Sequence, residues 1–129
     1  MLLVEIVIAL ALLQLVYFAM RVGAARGKYN VPAPATTGHE IFERYYRVQM
    51  NTVELIVLLV PALVIFAEQI SANWAAGLGA VYLIGRFLYL QGYVADPKKR
   101  SLGFALSFVP ILILLIGGLG GAIYHYFLH

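Results

Sequence analysis

Four apolar stretches dominate the chain, at residues 1–20, 50–70, 74–93 and 102–128. A helix rising 1.5 Å per residue needs roughly 20 residues to cross a hydrocarbon layer ~30 Å thick. Each stretch is therefore long enough to span a bilayer. Only 12% of the residues are charged and 63% are hydrophobic, with a mean hydropathy of +0.89. Soluble domains are nearer half apolar and a quarter charged, so an ordinary water-soluble enzyme and a disordered tail are both excluded. The expected fold is all-α: a membrane four-helix bundle forming one domain over residues 1–129, with no internal repeat. A signal peptide would open on a basic region, whereas the only early charge here is Glu5; the first stretch is read as a span. There is no cysteine, hence no disulfide, thiolate metal site or cysteine nucleophile.

The loops carry the charge. All nine basic residues (Arg21, Arg26, Lys28, Arg44, Arg47, Arg86, Lys98, Lys99 and Arg100) lie in or near the loops at residues 21–38 and 94–101. The loop between them, residues 71–73, is a tight uncharged turn. An even number of spans puts both basic loops on one side, and the positive-inside rule makes that side cytoplasmic. A bacterial inner membrane and an endoplasmic reticulum both fit. The net charge of +3 does not indicate nucleic acid, because its basic residues sit between greasy segments. Lys98 and Lys99 are expected to meet anionic lipid head groups.

The first loop holds Val31-Pro32-Ala33-Pro34, which is expected to be extended. Thr37-Gly38-His39-Glu40 has the spacing of a capping box, so the second helix should run over 38–70, ~50 Å at 1.5 Å per residue. Its first turns should stand outside the membrane. Pro61 and Pro110 predict kinks, and Gly117, Gly118, Gly120 and Gly121 predict close helix packing.

Charged residues inside spans cost at least ~2.5 kcal/mol each on insertion scales. Two helices nevertheless carry polar stripes. On the second, Arg44, Arg47, Asn51 and Glu54 fall within a roughly 80° sector; on the third, Tyr82, Arg86, Tyr89 and Tyr93 fall within about 60°. The bland reading is that Arg and Glu on neighbouring turns pair with each other and that the tyrosines are interfacial anchors. The joint pattern says more. Both stripes end at the same side, arginine exceeds acid, and Glu54 lies deeper. That suits a ligand with carboxylates and an amine, such as glutathione, although composition does not select glutathione over other such molecules.

The segment Phe42-Glu43-Arg44-Tyr45-Tyr46-Arg47-Val48-Gln49-Met50-Asn51-Thr52-Val53-Glu54 resembles the signature of the membrane-associated proteins in eicosanoid and glutathione metabolism, the MAPEG family. Arg86-Phe87-Leu88-Tyr89-Leu90-Gln91-Gly92-Tyr93 is a second match. The likeness is closest to the branch of leukotriene C synthases and type 2 microsomal glutathione transferases. It covers about residues 26–100, and the terminal spans match only in hydrophobicity. The resemblance implies a homotrimer of four-helix subunits with glutathione as cosubstrate, held between neighbours. It implies that Arg47, Asn51, Glu54, Tyr89 and Tyr93 contact glutathione, with Gln49 and Arg26 close by. Arg100 takes the place of the arginine that stabilises the glutathione thiolate, while Arg44 and Arg86 look structural. Two positions depart from the branch: Gly27 stands where it has a second arginine, and Leu55 where the family has a tyrosine.

A thiol of pKa ~8.5 is mostly protonated at neutral pH, and a guanidinium beside it favours the thiolate. Lowering that pKa by two units takes ~2.7 kcal/mol. Arginine stays charged, so it acts as a stabiliser, not a base. The implied activity is conjugation of glutathione to lipophilic electrophiles reaching the site from the bilayer, with reduction of lipid hydroperoxides by the same thiolate. Three alternatives stand: a non-catalytic lipid-binding scaffold, a glutathione-dependent isomerase of the same fold, and a small exporter using Glu54. Arginine on the Glu54 face argues against the exporter. His39, His125 and His129 are far apart in sequence and are read as solvated or interfacial, not as a metal site. Trp74 and Tyr124 are read as interfacial anchors.

Overall fold

A computed structural model describes residues 1–128, and His129 lies outside the described residues. Four helices make up the fold: α1 (Leu2–Tyr29), α2 (Glu40–Gln69), α3 (Ala72–Ala95) and α4 (Ser101–Leu128), with a single 3-10 turn, Pro97–Lys99, before α4. Among the described residues there is no strand. Three segments, Leu2–Tyr29, Glu40–Gln69 and Pro97–Leu128, are long and apolar enough to cross a membrane. The expected third span is not one of them. At 24 residues α3 has the length, but Asn73, Arg86, Gln91 and three tyrosines lower its hydropathy. It packs against each of the other helices, which bury Tyr82, Arg86 and Tyr89, while Asn73 and Gln91 stay exposed.

The first helix runs nine residues beyond the expected apolar stretch. Its buried stripe, Ala11, Gln14, Phe18, Val22 and Ala25, keeps helical spacing past Arg21. The helix stops where Asn30 turns left-handed (φ 56°) and the Val31 N–H donates to the Arg26 carbonyl at 3.0 Å. So residues 21–29 are helix, not loop. The second helix starts at Glu40, and its N-cap is His39, not Thr37: His39 Nδ1 accepts from the Ile41 N–H at 3.1 Å. The reciprocal bond is also shifted, with Gly38 N–H donating to Glu43 at 3.2 Å. His39 further stacks on Tyr29, ring centroids 4.0 Å apart, so it is a structural joint and not a solvated side chain.

The core joins all four helices through residues such as Val4, Ala11, Leu59, Leu63, Ala75 and Leu114. Outside it the bundle is greasy: Leu13, Met20, Val57, Ile116 and Leu119 are exposed. An apolar surface of this extent needs lipid or protein as its solvent. Pro61 and Pro110 sit inside uninterrupted helices. Gly117, Gly118 and Gly121 pack against α2 as expected, whereas Gly120 has open space around it. The closest approach is between α3 and α4. A Cβ on Gly103 would lie 2.3 Å from the Tyr89 nitrogen, and one on Gly85 would lie 2.7 Å from the Ser107 nitrogen. These two glycines bring backbone against backbone.

Both basic loops lie at one end of the bundle. Arg44, near the start of α2, donates to the carbonyls of Val94 (2.9 Å) and Ala95 (3.4 Å) at the end of α3, and pairs with Glu40 at 2.6 Å. A helix leaves its last carbonyls unsatisfied, and this cation caps them. At the opposite end Gln69 and His125 meet at 2.7 Å and tie α2 to α4.

Candidate functional site

The polar stripes of α2 and α3 meet at Arg86. Its side chain is 0% exposed, and no carboxylate pairs with it: among the described residues the single ion pair is Arg44–Glu40. Neutral oxygens meet two of its three nitrogens, and Nη2 is buried without a hydrogen-bond partner among the described residues. Nε donates to Ser107 Oγ at 2.8 Å, and one Nη1 donates to Asn51 Oδ1 at 2.8 Å and to Thr52 Oγ1 at 3.1 Å. Both hydroxyls give their own proton to a carbonyl one turn back, Thr52 to Val48 (2.7 Å) and Ser107 to Gly103 (2.6 Å). Their lone pairs are thus left for the guanidinium. Its carbon also lies 4.3 Å from the centroid of the Tyr89 ring. Interhelical hydrogen bonds in membranes average about 0.6 kcal/mol, and a desolvated cation–π contact adds about 2. Together they offset part of the ~3 kcal/mol that insertion scales assign to a central arginine, against which the unpartnered Nη2 counts.

Around this core the expected ligand residues split into two groups. The rings of Tyr89 and Tyr93 lie 5.5 Å apart. Tyr89, Tyr93 and, through Arg86, Asn51 therefore belong to one neighbourhood, with Arg47 and Arg100 exposed at the same end of the bundle. Arg47 and Glu54 are exposed, and among the described residues neither forms an ion pair; pairing of Arg with Glu on adjacent turns occurs at Arg44, whose partner is Glu40. Arg100 is exposed and reaches only the Pro97 carbonyl, at 3.4 Å. Gln49 is half-buried.

Arg26 belongs elsewhere. Its guanidinium donates to the carbonyls of Val31 (3.3 Å) and Ala35 (2.7 Å) and lies over the Phe42 ring at 4.8 Å, binding the first loop to α1 and α2. In this chain its contacts are structural. The two departures also have physical readings. Leu55 is 5% exposed and part of the core, while Gly27 is exposed with open space around it. Sequence reasoning missed Thr52 and Ser107 as partners of Arg86. The available signal was a hydroxyl inside each apolar span, since such groups seek cross-helix partners.

Four helices around a buried arginine, with the basic loops and an open arginine-rich face at one end, define a membrane bundle with a polar mouth. The chain belongs to the MAPEG family, whose model matches residues 4–120. Among its relatives, an uncharacterized protein of Synechocystis is 46% identical over 88% of this chain and 83% of its own length. Microsomal glutathione S-transferase 2 of Homo sapiens is 44% identical over 81% of this chain and 71% of its own length. Leukotriene C4 synthase of Bos taurus is 38% identical over 65% of this chain and 56% of its own length.

Proposed function

We propose that this chain is a membrane-bound glutathione transferase that activates glutathione as the thiolate. The observation that carries the reading is that Arg86 lies against Tyr89 and holds Asn51 while Arg47 and Arg100 stand exposed at the same end of the bundle, none of the three paired to a carboxylate among the described residues. With Glu54 on the same face, three guanidiniums against one carboxylate leave two positive charges in excess. Glutathione thiolate carries two carboxylates, one ammonium and one sulfur anion, so its net charge is the complement. Arg47 and Asn51 bind its carboxylate or carbonyl oxygens, Glu54 its ammonium, and Tyr89 and Tyr93 its peptide groups.

Arg100 is the thiolate stabiliser. It is exposed at the mouth, between the end of α3 and the start of α4, and a guanidinium stays charged across the physiological range. The thiol proton passes to water. With an aryl halide the sulfur–carbon bond forms as the carbon–halogen bond breaks, and halide leaves. In a homotrimer, apolar surface of the kind exposed on α1 and α4 would be shared between neighbours and would admit a lipophilic electrophile from the bilayer; Arg26 and Gln49 would then lie close to glutathione. The Gly27 departure removes the second arginine of the leukotriene-forming branch, which favours general conjugation over a leukotriene-specific reaction.

The test is rapid mixing of purified protein with glutathione at neutral pH, following absorbance at the thiolate band, then addition of an aryl halide. A thiolate signal followed by conjugate is expected. Glutathione binding with neither signal nor product would instead assign a scaffold.

A further inference from the structure

We propose that Arg86 is the positioning residue of this site: it fixes which end of the Asn51 amide faces the ligand and holds the Tyr89 ring in place. The inference rests on the glutathione reading and adds a residue that touches no ligand, being 0% exposed.

An asparagine amide has an accepting end and a donating end, exchanged by a half-turn. A guanidinium only donates. Arg86 therefore takes Asn51 by its oxygen, at 2.8 Å, and a flipped amide would set N–H against N–H in a buried place. The guanidinium itself is pinned. Nε is held by Ser107 on α4 and Nη1 by Thr52 on α2, and both hydroxyls have already given away their protons to backbone carbonyls. The direction of every bond is thus dictated from two helix backbones outward to Asn51. The Asn51 amide nitrogen has no protein partner among the described residues and is not sealed inside the bundle. It presents two N–H donors, which select a carboxylate or carbonyl oxygen. On the other side of the guanidinium, Tyr89 lies face-on at 4.3 Å, and its neighbour Tyr93 follows. One buried cation so orients a donor on α2 and a ring on α3, and this is a reason for keeping a charge there beyond packing.

The test uses the full chain in detergent, with glutathione affinity by calorimetry, thermal midpoints, and KM for glutathione against kcat with an aryl halide. Arg86→Met and Asn51→Ala should each weaken glutathione about tenfold, the worth of one hydrogen bond to a charged group, and mainly through KM. The double variant should also lose about tenfold, because both changes remove one interaction. Asn51→Asp keeps the bond to Arg86 but replaces the outward donors with a carboxylate oxygen. It should retain the thermal midpoint and lose at least tenfold in affinity. Additive losses of about 100-fold in the double variant, or wild-type affinity in Arg86→Met or Asn51→Asp, would overturn the positioning role. If Arg86→Met does not fold, Asn51→Asp decides alone. Wild-type protein that gives no heat with glutathione refutes the transferase reading itself, a result separate from all of these.

Discussion

Gly103→Ala tests how tightly the site depends on the contact between α3 and α4. The new methyl carbon would lie 2.3 Å from the Tyr89 nitrogen and 2.5 Å from its Cα. Ordinary van der Waals contact begins at 3.4 Å, so the helices must part by about 1 Å, and neither atom is a flexible side-chain end that could swing aside. Ser107 lies one turn further along α4 and moves with it. Its 2.8 Å bond to Arg86 Nε would lengthen to nearly 4 Å, beyond hydrogen-bonding range. Overpacking costs about 1–3 kcal/mol, and losing a hydrogen bond to a charged group costs about 1.5–3 more. The expected destabilisation is therefore about 3–5 kcal/mol, read as a fall in thermal midpoint in detergent. Gly120→Ala is the control. It has open space in the interior of a helix, so it should be neutral or stabilise by a few tenths of a kcal/mol. Gly103→Ala with the midpoint of wild type would refute the close-contact reasoning.

Arg100→Ala should return the bound thiol from a pKa near 6.5 to about 8.5. Thiolate at pH 7 then drops from about three quarters to about 3%, a roughly 25-fold loss of conjugation rate. The loss is recovered above pH 9, so the acid limb of the pH–rate profile moves up by two units; an unmoved limb would remove Arg100 from the mechanism. Glu54→Gln should weaken glutathione by about tenfold, while an analogue without the α-amine binds both proteins alike in calorimetry. Arg44→Ala should free the Val94 and Ala95 carbonyls and cost about 1–3 kcal/mol. Hydrogen exchange should then quicken in the last turn of α3, and unchanged protection there would assign the cap to another group.

The helices and their order were legible because apolar runs of spanning length admit few other folds. The end of α1 was not. Hydropathy breaks at Arg21, whereas helix formation depends on backbone propensity and on the buried stripe, and Val22 and Ala25 continue both. The α2 cap shows a similar competition. Thr37 has the right chemistry, but His39 accepts the Ile41 N–H and gains a stack on Tyr29 as well. The polar stripes were legible as periodicity, and the structure joins Asn51, Tyr89 and Tyr93 through Arg86. Periodicity along one helix carries no information about bonds to another. The capture of Asn51 by Arg86, and the engagement of Arg26 with the first loop, are cross-segment facts that only the fold supplies.

The uncharged company kept by Arg86 has a consequence for how the chain is made. Two of its partners arrive on α2, before α3 is synthesised, but Ser107 comes after it. When α3 leaves the ribosome the Arg86 Nε still lacks the Ser107 acceptor, and α3 alone lacks the hydropathy of its neighbours. The link to α4 is short, from Asp96 to Arg100, and partly wound into a 3-10 turn. Integration into the bilayer should therefore be a joint event, with α3 and α4 entering as a hairpin and closing around the arginine together. A nascent chain halted after Arg100 should leave α3 accessible to water-soluble labels, and extending it through Ser107 should bury it.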